Sequence, residues 1–259
     1  MGSAEASWLG IVQCHGIIGN TGLEPALIQP AHFLNPIQPF WTRLEPKTNT
    51  SNSAPLLTLD NLACTRGARR LFSGITRGVA PGELLRVQGP NGAGKTSLLR
   101  MLCGLLAPTE GRVLWRGEQL SGQRDTFGHN LVYLGHAAAL KDDLSPLENL
   151  LDACALGGHP TDAAAALAAL RSAGLRGHER TAARRLSQGQ RRRSALARLA
   201  LCPAAPLWVL DEPFNALDTA ATAWLSGLIE VHLQRAGMVV LTSHQEVALG
   251  ALQQQVLQL

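Results

Sequence analysis

The chain has 259 residues, of which 46% are hydrophobic and only 16% charged, and its net charge is +4. This length suffices for one sizeable α/β core, and a charged fraction below the usual quarter hints that a partner covers part of the surface. No run approaches the ~20 apolar residues of a membrane span, so another chain would have to supply any spans, and five scattered cysteines without a C-x-x-C pair argue against a disulfide framework or a zinc site.

The first 55 residues differ in composition from the rest of the chain. They carry six prolines and a polar tract over residues 47–53, and proline both removes backbone donors and interrupts regular elements. We therefore predict that residues 1–55 form little stable structure and are a dispensable extension, and that residues 56–259 form the functional domain. The alternative, that aromatic residues of this segment dock on a partner, stays open.

A phosphate-binding loop follows the second predicted strand. After a strand at 56–59, an apolar strand at 82–88 leads into eight residues that match G-x-x-x-x-G-K-[ST], and a helix is predicted over 96–103. Glycines in such a loop turn backbone N–H groups inward, and the helix N-terminus adds positive charge. Lys95 is expected to reach the β- and γ-phosphates, and the Thr96 hydroxyl to hold Mg²⁺. The predicted nucleotide-binding residues are Gly89, Pro90, Asn91, Gly92, Ala93, Gly94, Lys95 and Thr96.

A helical stretch from 145 to 200 interrupts a β-α-β alternation. Strands are predicted before it, at 111–115 and 131–134, and after it, at 207–210 and 238–242. Pro146 suits the first turn of a helix that follows Ser145, and an Ala/Leu-rich helix begins at Thr161-Asp162. Ser187 is expected to cap a further helix that carries an arginine cluster. Gly189, in its first turn, permits another backbone to approach closely.

Two acids, Asp211 and Glu212, end the apolar strand at 207–210. A buried parallel strand delivers such side chains to the carboxyl edge of the sheet, where open α/β sheets bind their ligands. We expect Asp211 to hold Mg²⁺, directly or through a water molecule, and Glu212 to act as the general base that polarises the attacking water. An apolar run ending in acids is common by itself, but downstream of a phosphate-binding loop it predicts nucleotide hydrolysis.

The order of these motifs resembles that of the ATP-binding-cassette (ABC) ATPases. Residues 186–190, Leu-Ser-Gln-Gly-Gln, are similar to the signature of that family, which other phosphate-loop enzymes lack. The resemblance implies an α/β P-loop NTPase fold with a RecA-like core, a small antiparallel β subdomain and an inserted helical signature subdomain at about 137–205. It also implies a homodimer, in which Ser187, Gly189 and Gln190 of one copy contact the γ-phosphate held by the other.

Three further positions match elements of the same family. Asp218 matches the D-loop, which crosses the subunit interface, and His244 matches the switch histidine, which hydrogen-bonds the γ-phosphate and orients the water. His136 takes the place of the usual coupling glutamine and offers one donor and one acceptor instead of an amide and a carbonyl. The adenine-stacking aromatic of the family is missing, and the planar guanidinium of Arg66 is the candidate to stack on the base instead.

The segment Tyr133-Leu134-Gly135-His136, with segments at 71–74, 81–85 and 147–150, resembles the CcmA family in particular. That family comprises the ATP-binding subunits of the haem exporter of cytochrome c maturation. The resemblance implies ATP and Mg²⁺ as ligands, and an integral membrane subunit resembling CcmB with other maturation components nearby. It also implies peripheral association with the cytoplasmic face of the bacterial inner membrane, with the surface around 136–150 passing motion to the membrane subunit. Haem is then the exported or released species, and neither nucleic acid nor haem is expected to bind this chain itself.

Three alternatives stay open. The chain could be the ATPase of another small exporter, or a soluble ABC ATPase that acts on ribosomes or nucleic acid. Relatives of the second kind usually carry two cassettes or a long coiled coil, and neither is present in this sequence. The third alternative is a regulatory module that binds ATP without turnover, and the intact Glu212 and His244 argue against it.

Overall fold

The computed structural model describes residues 54–243 and 253–259, which all belong to the unit of the chain that runs from Pro39 to Leu259. Almost all of the predicted extension, and His244, therefore lie outside the described residues. The described strands are β1 Leu57–Arg66, β2 Arg69–Val79, β3 Leu84–Gln88, β4 Glu110–Trp115, β5 Glu118–Gln119, β6 Leu131–Leu134, β7 Leu207–Leu210, β8 Met238–Thr242 and β9 Gln254–Gln258. The described helices are α1 Lys95–Leu102, α2 Arg124–Phe127, α3 Pro146–Leu156, α4 Ala163–Ser172, α5 Gln188–Leu196, α6 Arg198–Leu201 and α7 Thr219–Gln234.

Five parallel strands form the central sheet, in the order β6-β7-β8-β3-β9. Every residue of β7 and β8 is buried. A parallel sheet covered on both faces needs apolar residues at successive positions, so these strands are recognisable in the sequence as continuous apolar runs. The strands predicted at 131–134, 207–210 and 238–242 are confirmed with those bounds.

Two hydrophobic clusters cover the two faces of this sheet. Alternate residues of β8 enter different clusters, because successive side chains of a strand point to opposite faces. Val239 and Leu241 pack with side chains of α3, α4, α5 and α7, whereas Met238 and Val240 pack with α1 and the antiparallel sheet. The central sheet therefore separates a helical layer from a layer built of α1 and the second sheet.

The second sheet is antiparallel, in the order β2-β1-β4-β5. It confirms the predicted fold class, in which a small antiparallel β subdomain accompanies a parallel core. The strands β2 and β9 were not among the predicted elements. In β2 only Phe72 and Val79 are buried, and in β9 only Leu257 is buried, so neither segment shows the apolar run or alternation that predicts a strand.

Helices α3 to α6 occupy the stretch between β6 and β7, as the sequence predicts. Ser145 caps α3 in a reciprocal capping box with Glu148, and Pro146 takes the first helical position. Asp162 caps α4 by accepting a hydrogen bond from the N–H of Ala165 (2.7 Å). Across residues 54–243 and 253–259, no helix combines the length and the apolar character needed to cross a bilayer.

Candidate functional site

The phosphate-binding loop joins β3 to α1 at the carboxyl edge of the central sheet. Gly94 has φ +106° immediately before α1, and a Cβ there would lie 3.0 Å from the ring of Phe72, so both backbone conformation and space require glycine. The Lys95 ammonium donates to the carbonyl oxygens of Gly89 (2.8 Å) and Pro90 (3.2 Å). Since the first-turn amides of α1 have no acceptor within the helix, the loop presents N–H groups and one ammonium to an anion.

Asp211 receives two hydroxyl hydrogen bonds at the end of β7. The Thr96 hydroxyl donates to Oδ2 (2.8 Å), and the Thr242 hydroxyl donates to Oδ1 (2.8 Å). Asp211 is buried, with only 2% of the residue exposed to solvent. The structure thus brings together the two predicted Mg²⁺ ligands, Thr96 and Asp211, and their hard oxygen donors fit that ion. Thr242 was missed, because a threonine ending an apolar strand carries no functional signal of its own.

Glu212 follows Asp211 in a left-handed backbone conformation, with φ +51°. This conformation is uncommon for a residue with a side chain, and it persists only where the surroundings hold it. The Glu212 N–H donates to the Thr242 hydroxyl (2.8 Å), and the Glu212 carbonyl accepts a hydrogen bond from Arg192 Nη2 (2.9 Å). Both backbone polar groups of the predicted general base are therefore fixed.

Arg192 of α5 reaches into the site, and the sequence did not single it out from the arginine cluster. The residue is 5% exposed. Burial lowers the pKa of its guanidinium, whereas the charges of Asp211 and Glu212 raise it. The guanidinium donates to the backbone carbonyls of Gly135 (2.8 Å), His136 (3.3 Å), Asp211 (2.8 Å) and Glu212 (2.9 Å).

These elements enclose a cavity of about 570 Å³, within the usual range for a small-molecule site. It brings together residues of the phosphate-binding loop, both acids of β7, and the two residues that depart from the family pattern, His136 and Arg66. Leu71, Ser97 and Asn215 also line it and were not predicted as site residues. The lining residues are Arg66, Leu71, Asn91, Gly92, Gly94, Lys95, Thr96, Ser97, His136, Asp211, Glu212 and Asn215.

The predicted signature residues do not line this cavity of their own chain. They form the first turn of α5, where the Gln190 N–H donates to Ser187 Oγ (3.2 Å) and the Ser187 N–H donates to Gln190 Oε1 (2.9 Å). This capping box confirms Ser187 as the helix cap. A Cβ on Gly189 would lie 2.8 Å from the carbonyl oxygen of Ala216, so the predicted close backbone approach is present.

Asp218, the predicted interface residue, begins α7. Its Oδ1 accepts a hydrogen bond from the Ala221 N–H (2.8 Å), and its Oδ2 lies 3.6 Å from Arg193 Nη1 of α5. The Ala216–Asp218 segment therefore contacts the signature helix at two points. His244, the predicted switch histidine, lies outside the described residues, and its place in the site stays a prediction.

The family model of the ABC transporters matches residues 72–215 of the chain. The chain is also similar to curated proteins named "Cytochrome c biogenesis ATP-binding export protein CcmA". The one from Dechloromonas aromatica (strain RCB) is 54% identical over 196 residues, which are 76% of this chain and 96% of that one. The one from Pseudomonas aeruginosa is 51% identical over 189 residues, which are 73% and 93% of the two chains.

Solved structures show the same fold. A putative ABC transporter ATP-binding protein from Pyrococcus furiosus superposes with a TM-score of 0.67 at 24% identity, over 78% of this chain and 96% of that chain. The ATP-binding cassette MJ0796, whose dimeric structure is described as a post-hydrolysis state bound to ADP and Pi, gives a TM-score of 0.62 at 24% identity. That match covers 73% of this chain and 88% of the other.

Proposed function

Because the chain belongs to the CcmA family of ABC transporter ATP-binding export proteins, we propose that two copies of it close over two ATP molecules and hydrolyse them to drive a membrane subunit. The observation that carries this proposal is the cluster at the carboxyl edge of the central sheet. There residues of the phosphate-binding loop line one cavity with Asp211 and Glu212, and Thr242 is hydrogen-bonded to both acids.

Within one copy, the phosphate-binding loop holds the nucleotide through backbone N–H groups, and Lys95 moves from its loop carbonyls to the β- and γ-phosphates. Thr96 and Asp211 are the residues that would hold Mg²⁺, which neutralises charge on the phosphate oxygens when bound. Glu212 accepts the proton of the attacking water. Arg66 and Leu71 line the same cavity and are the candidates for contact with the base.

The second copy completes the site through its signature. Ser187, Gly189 and Gln190 lie outside the cavity of their own chain, which suits residues that act across a dimer interface. Their helix N-terminus supplies positive charge to the γ-phosphate bound by the partner. Because this contact exists only while the γ-phosphate is present, ATP favours the closed dimer and hydrolysis lets it open.

The surface around residues 136–150 is the proposed contact with the membrane subunit. Asn149 fixes the loop before α3, because its Oδ1 accepts from the Lys141 N–H (2.8 Å) and its Nδ2 donates to the carbonyls of Lys141 (3.1 Å) and Leu144 (3.2 Å). A groove of about 110 Å³ lies between this loop, α3 and α5. His136 joins the loop to the nucleotide cavity, so motion at one is passed to the other.

The partner that fits this role is an integral membrane subunit resembling CcmB, with other cytochrome c maturation components nearby. The relatives are named as export proteins of cytochrome c biogenesis. We infer that the same process is served here, with haem as the exported or released species. The chain would then work as a peripheral subunit on the cytoplasmic face of the bacterial inner membrane.

Glu212→Gln tests the proposed reaction. Glutamine retains the side-chain size but cannot accept the proton, so turnover falls by about 10²- to 10⁴-fold while ATP binding persists. The variant accumulates as an ATP-bound dimer, which light scattering after gel filtration with Mg²⁺ and ATP detects. Glu118→Gln, an exposed glutamate of β5, is the control and keeps wild-type turnover. Unchanged turnover of Glu212→Gln removes Glu212 from the role of base, and a wild-type chain that neither retains ATP nor dimerises refutes the function.

A further inference from the structure

The hydrogen-bond ladder between β6 and β7 ends just before the catalytic edge. The last paired residues are Leu134 and Leu210, and the Asp211 N–H donates to the Leu134 carbonyl (2.8 Å). Beyond this point the segments that follow β6 and β7 continue without regular pairing. There the guanidinium of Arg192 bridges them, with Nη1 donating to the carbonyls after β6 and Nη2 to the carbonyls after β7.

The planar fork of arginine suits this bridge, because each of its two amino groups can donate to a different segment of the backbone. An ammonium on a flexible stem donates from a single point and cannot span both pairs of carbonyls in the same geometry. A buried cation is costly unless it is hydrogen-bonded and near opposite charge, and Arg192 meets both conditions through the carbonyls and the carboxylates of Asp211 and Glu212.

The neighbouring arginines of α5 do not share this position. Arg191 pairs with Asp142 (2.7 Å), in the loop before α3, and donates to the carbonyl of Ala183 (2.9 Å), between α4 and α5. Arg193 lies 3.6 Å from Asp218. Arg192 is therefore the member of the cluster that contacts the backbone of the predicted general base.

We propose that Arg192 is a positioning residue, which fixes the backbone of Glu212 and thereby the direction of the general base. The proposal rests on the proposed function. Thr242 holds the N–H of Glu212 and Arg192 holds its carbonyl, and between them the residue keeps φ +51°. Because α5 begins with the signature, the same arginine ties the acid of one nucleotide site to the helix that completes the other site of the dimer.

Arg192→Met, Arg192→Lys and a control test this role. Methionine keeps the length of the stem but donates no hydrogen bond, so kcat at saturating ATP falls by about 10- to 100-fold. The Kd for a slowly hydrolysed ATP analogue with Mg²⁺ stays within about threefold, because the phosphate-binding loop is untouched. Arg192→Lys recovers part of kcat, since its ammonium can serve one pair of carbonyls. Arg184→Met, an exposed arginine that pairs with Asp143, keeps wild-type values of both.

A cycle with the base itself separates positioning from an independent contribution. In the Glu212→Gln background, Arg192→Met adds no further loss of single-turnover phosphate release, because the group that it positions is already gone. An equal loss in both backgrounds overturns the proposal, as does a full kcat in Arg192→Met or a parallel loss of ATP affinity. If Arg192→Met does not fold, the Arg192→Lys variant decides the question, and a wild-type kcat in that variant overturns the proposal. Failure of the proposed function shows separately, as a wild-type chain without ATPase activity.

Discussion

At the residue scale, two hydroxyls and one guanidinium organise the acids at the end of β7. Thr96 and Thr242 each donate to one oxygen of Asp211, and Arg192 with Thr242 holds the backbone of Glu212. The acids themselves are recognisable in the sequence, but the groups that orient them come from three other elements. Thr96 belongs to the phosphate-loop motif, but Thr242 and Arg192 are of common residue types and follow no spacing pattern.

His232 gives a residue-scale prediction about stability. Its ring stacks on that of Trp208, with centroids 3.8 Å apart, and burial lowers its pKa from 6.5 to about 4. The folded state therefore holds the neutral ring while the unfolded state takes up a proton below pH 6.5, so stability is full above that pH and falls as the pH drops. By pH 4 the loss from this group is about 3 kcal/mol.

Urea unfolding at several pH values measures this loss. His232→Phe removes the titrating group and keeps an aromatic ring, so its free energy of unfolding falls less between pH 7.5 and pH 4 than that of the wild type. His178→Phe, at an exposed position, retains the wild-type pH dependence. Identical pH dependence in wild type and His232→Phe would contradict the burial argument.

At the element scale, the first turn of α5 performs two tasks that can be separated. Ser187 caps the helix, and it is also proposed to contact the γ-phosphate held by the partner copy. Aspartate is an equally good cap, but its negative charge repels a phosphate. Ser187→Asp is therefore expected to keep the free energy of unfolding within ~0.5 kcal/mol and to abolish ATP-driven dimerisation. Ser187→Ala loses about 1 kcal/mol of stability as well as the contact.

Thermal unfolding and light scattering with Mg²⁺ and ATP give the two readouts. Asp162→Ala removes the cap of α4, away from the nucleotide cavity, and is expected to lose about 1 kcal/mol without any change in dimerisation. If Ser187→Asp still dimerises with ATP, the signature does not act across the interface as proposed.

The edge strands illustrate what element-scale patterns miss. β9 pairs with β3, and the N–H of Leu259 donates to the carbonyl of Gln88 (2.9 Å), at the start of the phosphate-binding loop. Its sequence is polar and it lies at the end of the sheet order, so it gains strand structure from its neighbour and not from an apolar pattern. The same holds for β2, whose Phe72 packs against Gly94 of the loop.

At the scale of the whole molecule, the central sheet gathers the ends of four strands at one edge. The loop after β3, the acids after β7, Thr242 at the end of β8 and His136 after β6 meet there, because neighbouring parallel strands end on the same side. The signature residues, in the first turn of α5, do not line this cavity in their own chain. We propose that a second copy supplies them to complete each site.

Deletion of residues 1–54 tests the proposed domain organisation at this scale. The truncated chain is expected to hydrolyse ATP at the wild-type rate and, when co-expressed with a membrane subunit resembling CcmB, to be recovered with it in the membrane fraction. Turnover assays on the purified chain and affinity isolation from membranes measure the two properties. Loss of turnover in a truncated chain that still folds would show that the extension is not dispensable. Absence from the membrane fraction in both the full and truncated chains counts against the membrane partner.

Sequence patterns alone were enough to predict the phosphate-binding loop, the buried strands that carry it and the two acids, and the capped helices between β6 and β7. These features depend on local rules: glycine spacing, continuous apolar runs and cap residues act within a few positions of one another. The packed fold was needed to show that Thr242 and Arg192 hold the acids, that Leu71 lines the cavity and that β9 pairs with the strand that leads into the loop. These contacts join elements far apart in the chain, so their residues follow no local pattern and their roles arise from the packing that brings them together.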